Sequence, residues 1–165
     1  MTLHTDGYRH RSRLWLKSLL IALPLAMLCG PAFAVKHTGG EFNTLYAGTG
    51  VKGYDVVAYF TDGKPQLGSE DYVVDYGGVT WRFVSQEHRD LFVAEPEKYV
   101  PQFGGFCTWG VGAADRLFDV DPVDGWTIYE GKLYMNFNAD LNKTFRDDPA
   151  GLIAKAQKNW PALNQ

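Results

Sequence analysis

The segment Ser69 to Val84 constrains the fold more than any other stretch of the chain. Gly77-Gly78 lies at its centre, and two consecutive glycines suit the φ > 0 positions of a two-residue hairpin loop. With the turn placed there, Tyr76 faces Val79, Val74 faces Trp81 and Tyr72 faces Phe83. All six side chains then share one face, because side chains alternate along a strand. Asp75, Thr80 and Arg82 fall on the other face. A slip of one residue would turn the whole apolar set toward water. An antiparallel hairpin with one buried face is therefore expected, and other elements must cover it.

The next residues supply the cover. Ser85 predicts an N-cap, with Glu87 in the first turn favoured by the helix dipole. Leu91 and Phe92 follow His88 at helical spacing and give that helix a buried stripe. Pro96 ends it or begins a second turn, Glu95 to Tyr99. A second hairpin is predicted from Trp126 to Phe137 around Glu130-Gly131, pairing Ile128 with Leu133 and Trp126 with Met135. Asn138 can cap a helix running from Ala139 toward Phe145. Asp148-Pro149 opens a last helix, which carries Leu152, Ile153 and Ala156 and is expected to stop before Trp160-Pro161. The sum is a small α+β domain: two antiparallel β-hairpins packed against three or four short helices. The apolar patch within 52–60 is too short to assign to helix or strand by period. Asp119, Asp121 and Asp124 have a spacing reminiscent of calcium loops but lack the bidentate Glu at position 12, so a solvated loop is expected.

The N-terminus has a different character. Arg9, Arg11, Arg13 and Lys17 precede a short apolar run, and Ala32-Phe33-Ala34 offers small residues at a cleavage site. This is the layout of a secretory signal peptide. The run from Leu19 to Leu28 contains Pro24 and is too short for a membrane anchor, which needs about 20 apolar residues. The expected organisation is a cleavable signal at 1–34, a flexible Gly/Thr/Asn-rich leader at 35–51 and a folded domain at 52–165, with a periplasmic or secreted location after cleavage near Ala34. Four of the 16 basic and one of the 19 acidic residues leave with the signal, so the formal charge moves from −3 to −6. An acidic chain without a Lys/Arg run is a poor nucleic-acid binder. Cys29 leaves too, and Cys107 becomes the solitary thiol. An internal disulfide framework, a zinc ribbon and a CxxC pair are all excluded by that number.

Cys107 lies in Phe103 to Gly112, where four glycines, two Phe and a Trp share ten residues with the thiol. Glycine permits close backbone approach or positive φ. Two readings of Cys107 stay open: a thiolate nucleophile or soft-metal ligand, or a small buried hydrophobe. His88 can be a ligand or can lower a thiol pKa, or it can be a helix residue facing water. Tyr54, Asp55 and Tyr59 can orient a thiol, a water or a small ligand, or can be core aromatics with a capping Asp.

Three segments carry a family resemblance: Gly53-Tyr54-Asp55-Val56-Val57-Ala58-Tyr59-Phe60, Trp81-Arg82-Phe83-Val84-Ser85, and Phe92-Val93-Ala94-Glu95-Pro96-Glu97-Lys98-Tyr99. In this order they resemble the YHS domain. The resemblance continues through Phe103 to Cys107, Gly131 to Asn138 and Ile153 to Pro161, a longer pattern similar to exported YHS proteins, some of which carry selenocysteine. It spans about two thirds of the chain. The family implies soft-metal binding, copper above all, beside heavy-metal transport proteins. This chain departs from the family's cysteines: Val57 and Ala58 replace a Cys-Gly, Val84 replaces another cysteine, and His88 stands at the next such position. The selenocysteine position corresponds to Cys107, which implies a reactive chalcogen there.

The expectation is thus an exported, soluble, non-enzymatic YHS module that binds copper, a similar soft metal or a small ligand. Cys107 and His88 would be the metal ligands, supported by Tyr54, Asp55, Tyr59 and Trp109. A membrane metal transporter is the partner this implies. One alternative is a redox enzyme with Cys107 as the catalytic thiol, resolved by an external thiol. A third is a protein-interaction domain in which Cys107 is only packed.

Overall fold

The computed structural model describes residues 42–43, 46 and 48–165. The stretch expected to be a signal peptide, 1–34, and most of the expected leader lie outside the described residues. The rest is an α+β domain with two separate two-stranded antiparallel sheets. Among the described residues, no helix is long and apolar enough to cross a membrane.

The first hairpin pairs β1 (Ser69–Tyr76) with β2 (Val79–Phe83). Gly77 and Gly78 both take positive φ, 62° and 76°. Tyr76 faces Val79 and Val74 faces Trp81, as alternation requires, but Phe83 pairs with Ser69 and not with Tyr72. The register shifts between Ser69 and Val73, which is how a bulge offsets a ladder. Gly68 approaches the other strand closely: a Cβ there would stand 2.5 Å from the Arg82 carbonyl carbon. That contact draws the start of β1 across to Phe83. Trp81, Phe83, Tyr76 and Val79 are buried. Their cover is Phe92, whose ring lies 5.6, 5.1 and 5.7 Å from Trp81, Phe83 and Tyr76.

Phe92 belongs to α2 (Gln86–Ala94), whose N-cap Ser85 accepts the His88 N–H at 3.2 Å. The ambiguous apolar patch becomes α1 (Ala58–Thr61), and α3 (Pro96–Tyr99) follows α2 with proline at its start. Part of the leader is packed into the core: Phe42, Asn43, Thr49, Gly50 and Val51 are buried, while Tyr46 is exposed. Phe42 is buried edge-on to Trp81, with ring centroids 5.2 Å apart. Thr49 pairs with Thr80 on β2, and a Cβ on Gly50 would stand 2.6 Å from the Trp81 ring. The core therefore begins before residue 52.

The second hairpin, β3 (Trp126–Tyr129) with β4 (Lys132–Met135), has the expected pairs Trp126 to Met135 and Ile128 to Leu133. Asn138 caps α5 (Ala139–Asp147) through the Leu141 N–H at 2.9 Å. Asp148 caps α6 (Pro149–Leu163) through the Gly151 N–H at 2.9 Å. Helix α6 continues through Pro161 instead of stopping before Trp160. A proline this close to the end breaks few helical bonds, and Trp160 is held against Phe103 and Phe106 at 5.8 and 6.3 Å. The glycine-rich segment forms α4 (Thr108–Ala113). A Cβ at Gly112 would lie 2.7 Å from the Leu152 carbonyl oxygen, so the missing side chains allow α4 to lie directly on α6.

Candidate functional site

The residues expected to share one site are divided between two environments. Asp55 is fully buried. Its Oδ1 accepts the N–H groups of Val57 and Ala58 at 2.8 and 3.2 Å. Its Oδ2 accepts the Val84 N–H at 2.9 Å and faces His88 Nδ1 at 2.7 Å. One carboxylate thus caps α1, fastens the end of β2 and fixes a ring on α2. His88 is buried as well, so it is not a water-facing helix residue. Its Nε2 faces the Thr61 hydroxyl at 3.3 Å and Asp62 Oδ1 at 3.9 Å.

Cys107 is fully buried and has a different set of partners. Its sulfur accepts the Gly110 N–H at 3.4 Å, and its S–H is directed to Asn136 Oδ1 at 3.9 Å. Burial pushes the thiol pKa up, and the N–H groups of Gly110, Phe137 and Trp109 only partly counter it. Of the nearby glycines, Gly110 lies close against Phe118 and Gly112 close against α6. The sulfur and the His88 ring have no hydrogen-bond partner in common among the described residues. No group of three or more His, Cys, Asp or Glu side chains gathers there in a form that could hold a metal ion. The pair His88 Nε2 and Asp62 Oδ1 at 3.9 Å lacks a soft atom.

Asn136 links Cys107 to a buried amide network. Its Oδ1 also accepts the Trp109 N–H at 3.2 Å, and its Nδ2 donates to Asn142 Oδ1 at 3.3 Å. Asn142 Oδ1 accepts the Thr127 hydroxyl at 2.8 Å, while its Nδ2 donates to the Asp124 and Trp126 carbonyls at 3.0 and 2.8 Å. Buried amides with every group paired fix their surroundings firmly. Trp109 itself is half-buried and lines an apolar pocket of about 210 Å3 with Phe118, Phe137 and Leu141. Tyr54 pairs through its backbone with Leu67 and packs on the main core.

Tyr59 leads to a feature that sequence reasoning missed. Its hydroxyl donates to the Pro122 carbonyl at 2.8 Å, and burial pushes its pKa well up. Its ring meets Trp126 at 5.0 Å. These two rings line a cleft of about 620 Å3 between α1, β3 and α5, which Asp124, Asn142 and Arg146 also reach. The signal in the sequence was the i,i+4 spacing of Asn142 and Arg146 behind the Asn138 cap, and it is a common one on any helix.

Comparison with known proteins returns no matching family model, no matching curated protein and no matching solved structure.

Proposed function

We propose that this chain is an exported, non-enzymatic binding module of the YHS type that holds a small molecule in the cleft between α1 and β3. The observation that carries this reading is the cleft itself. Its volume of about 620 Å3 falls within the range of small-molecule pockets, roughly 300–1,000 Å3. Tyr59, Phe60 and Trp126 give it aromatic walls on part of its lining, and Thr127 and the Asp124 backbone are tied into the Asn142 network. It lies on α1, within the first segment by which the chain resembles the YHS family. The redox reading draws less support, because a buried thiol with a raised pKa is a poor nucleophile.

The test is a screen of small aromatic and polar compounds against residues 35–165 by chemical-shift mapping. Shifts at Phe60, Trp126 and Thr127, abolished by Val123→Trp at the exposed rim, are the expected result. A screen with no compound acting at these residues would overturn the reading.

Soft-metal binding has one specific observation in its favour. A metal-ligating imidazole commonly donates its other N–H to a carboxylate, and His88 has Asp55 in that place. A metal would then sit on Nε2 beside Asp62, and a membrane metal transporter would be the natural partner. Titration of Cu(I) into the wild type, His88→Gln and Cys107→Ser separates the cases. Loss in His88→Gln alone supports the ring as the ligand, loss in Cys107→Ser supports the thiol, and equal weak binding in all three removes the metal reading.

A further inference from the structure

The cleft carries one basic and one acidic side chain, and they do not pair with each other. Arg146 comes from the last turn of α5 and Asp124 from the loop before β3. Neither side chain makes a hydrogen bond or ion pair with any described residue. Both are exposed, so neither is held there by the needs of the core.

The hydroxyl and amide donors around them are already committed. The Tyr59 hydroxyl donates to Pro122, the Thr127 hydroxyl donates to Asn142, and both Asn142 amide hydrogens go to the carbonyls of Asp124 and Trp126. Apart from the Trp126 indole N–H, polar recognition by side chains in this cleft therefore falls to the charged pair. The mounting of that pair is rigid. Asn142 ties the Asp124 backbone to α5, and Arg146 follows Asn142 by one helical turn on the same face. Trp126, Phe60 and Ile128 line the same cleft.

We propose that the cleft takes a zwitterion with a flat or aromatic body, of the amino-acid class. Its carboxylate would meet the Arg146 guanidinium, which suits a planar carboxylate in two parallel hydrogen bonds. Its ammonium would meet the Asp124 carboxylate, and its ring would lie against Trp126. An anion without the ammonium leaves Asp124 facing a like charge, and a cation without the carboxylate leaves Arg146 in the same position. A neutral aromatic engages neither charge. This inference rests on the small-ligand reading above and narrows it.

The experiment is calorimetric titration of residues 35–165 with L-phenylalanine, 3-phenylpropanoate and 2-phenylethylamine. The variants are Arg146→Gln and Asp124→Asn, with circular dichroism to verify that the fold is unchanged. L-phenylalanine is expected to bind most tightly. Each variant should weaken it by at least about tenfold, the scale of one lost charge-assisted hydrogen bond. Asp124→Asn should bring 3-phenylpropanoate closer to L-phenylalanine, and Arg146→Gln should do the same for 2-phenylethylamine. Binding of 3-phenylpropanoate as tight as that of L-phenylalanine overturns the zwitterion and leaves small-ligand binding standing. Indifference of L-phenylalanine to both variants does the same. Failure of all three probes, alongside screening hits in the cleft, overturns the inference alone; failure of the probes with an empty screen removes both readings.

Discussion

The carboxylate of Asp55 meets Nδ1 of His88 at 2.7 Å across 33 residues of sequence. The same carboxylate also accepts three backbone N–H groups. A buried charge is tolerated when it is paired and hydrogen-bonded on this scale, so this carboxylate acts first as a staple between α1, β2 and α2.

Replacing Asp55 with Ala should therefore be severe. Three buried N–H groups and an imidazole would lose their acceptor together. The expected loss is about 3–5 kcal/mol of unfolding free energy, read as a lower urea midpoint. Asp55→Asn keeps the size but offers one acceptor oxygen in place of two, and should fall between the wild type and Asp55→Ala.

The thiol of Cys107 should be silent in the folded protein. It is fully buried and its pKa is raised by burial. A disulfide exchange reagent at pH 8 should label it only at the rate of unfolding, and fully in denaturant. Cys107→Ala leaves a small hole and removes the acceptor for the Gly110 N–H, at a cost of about 1–2 kcal/mol.

Asp119 gives the fold an acid-sensitive contact. Burial pushes its pKa up, but Lys52 at 2.8 Å, with the Val120 N–H and Asn43, outweighs that and holds the carboxyl below its ordinary value. A lowered native pKa contributes stability above the unfolded value of about 3.9, and that contribution is lost as pH falls through the native value. Both side chains are partly exposed, so screening keeps the effect small. The urea midpoint of the wild type should fall faster than that of Lys52→Met as pH drops below about 4, and parallel curves would refute the assignment.

Gly112→Ala should destabilise, although alanine is the better helix former by about 1 kcal/mol. The new Cβ would lie 2.7 Å from the Leu152 carbonyl, and α4 and α6 must part to admit it. Overpacking of this kind costs about 1–3 kcal/mol, so the net change in thermal melting should be downward. An unchanged or higher melting temperature would mean that the two helices are not packed this closely.

Local pattern was legible in the sequence where the physics is local. Alternation placed Trp126 opposite Met135, and caps at Ser85, Asn138 and Asp148 were readable from a residue and its position. The slip at Tyr72 was not, because a bulge depends on how near Gly68 comes to Arg82 and leaves no mark on alternation. The burial of His88 was hidden for a related reason, since its partner Asp55 is remote in sequence. Composition left Phe103 to Gly112 open: glycine serves both positive φ, as at Gly104 and Gly105, and close contacts, and only the meeting with α6 shows that Gly112 serves the second. The cleft was invisible because its lining comes from three elements whose meeting no single motif encodes.

Phe42 has a consequence for how the chain should be trimmed. It seals one side of Trp81 from outside the segment that resembles the family. A protein cut at residue 52 would carry the whole recognisable pattern and still have an open socket beside its largest buried ring. The natural N-terminus of a durable domain lies upstream of Phe42, and a protease that removed those few residues would shorten the molecule's lifetime without touching any motif.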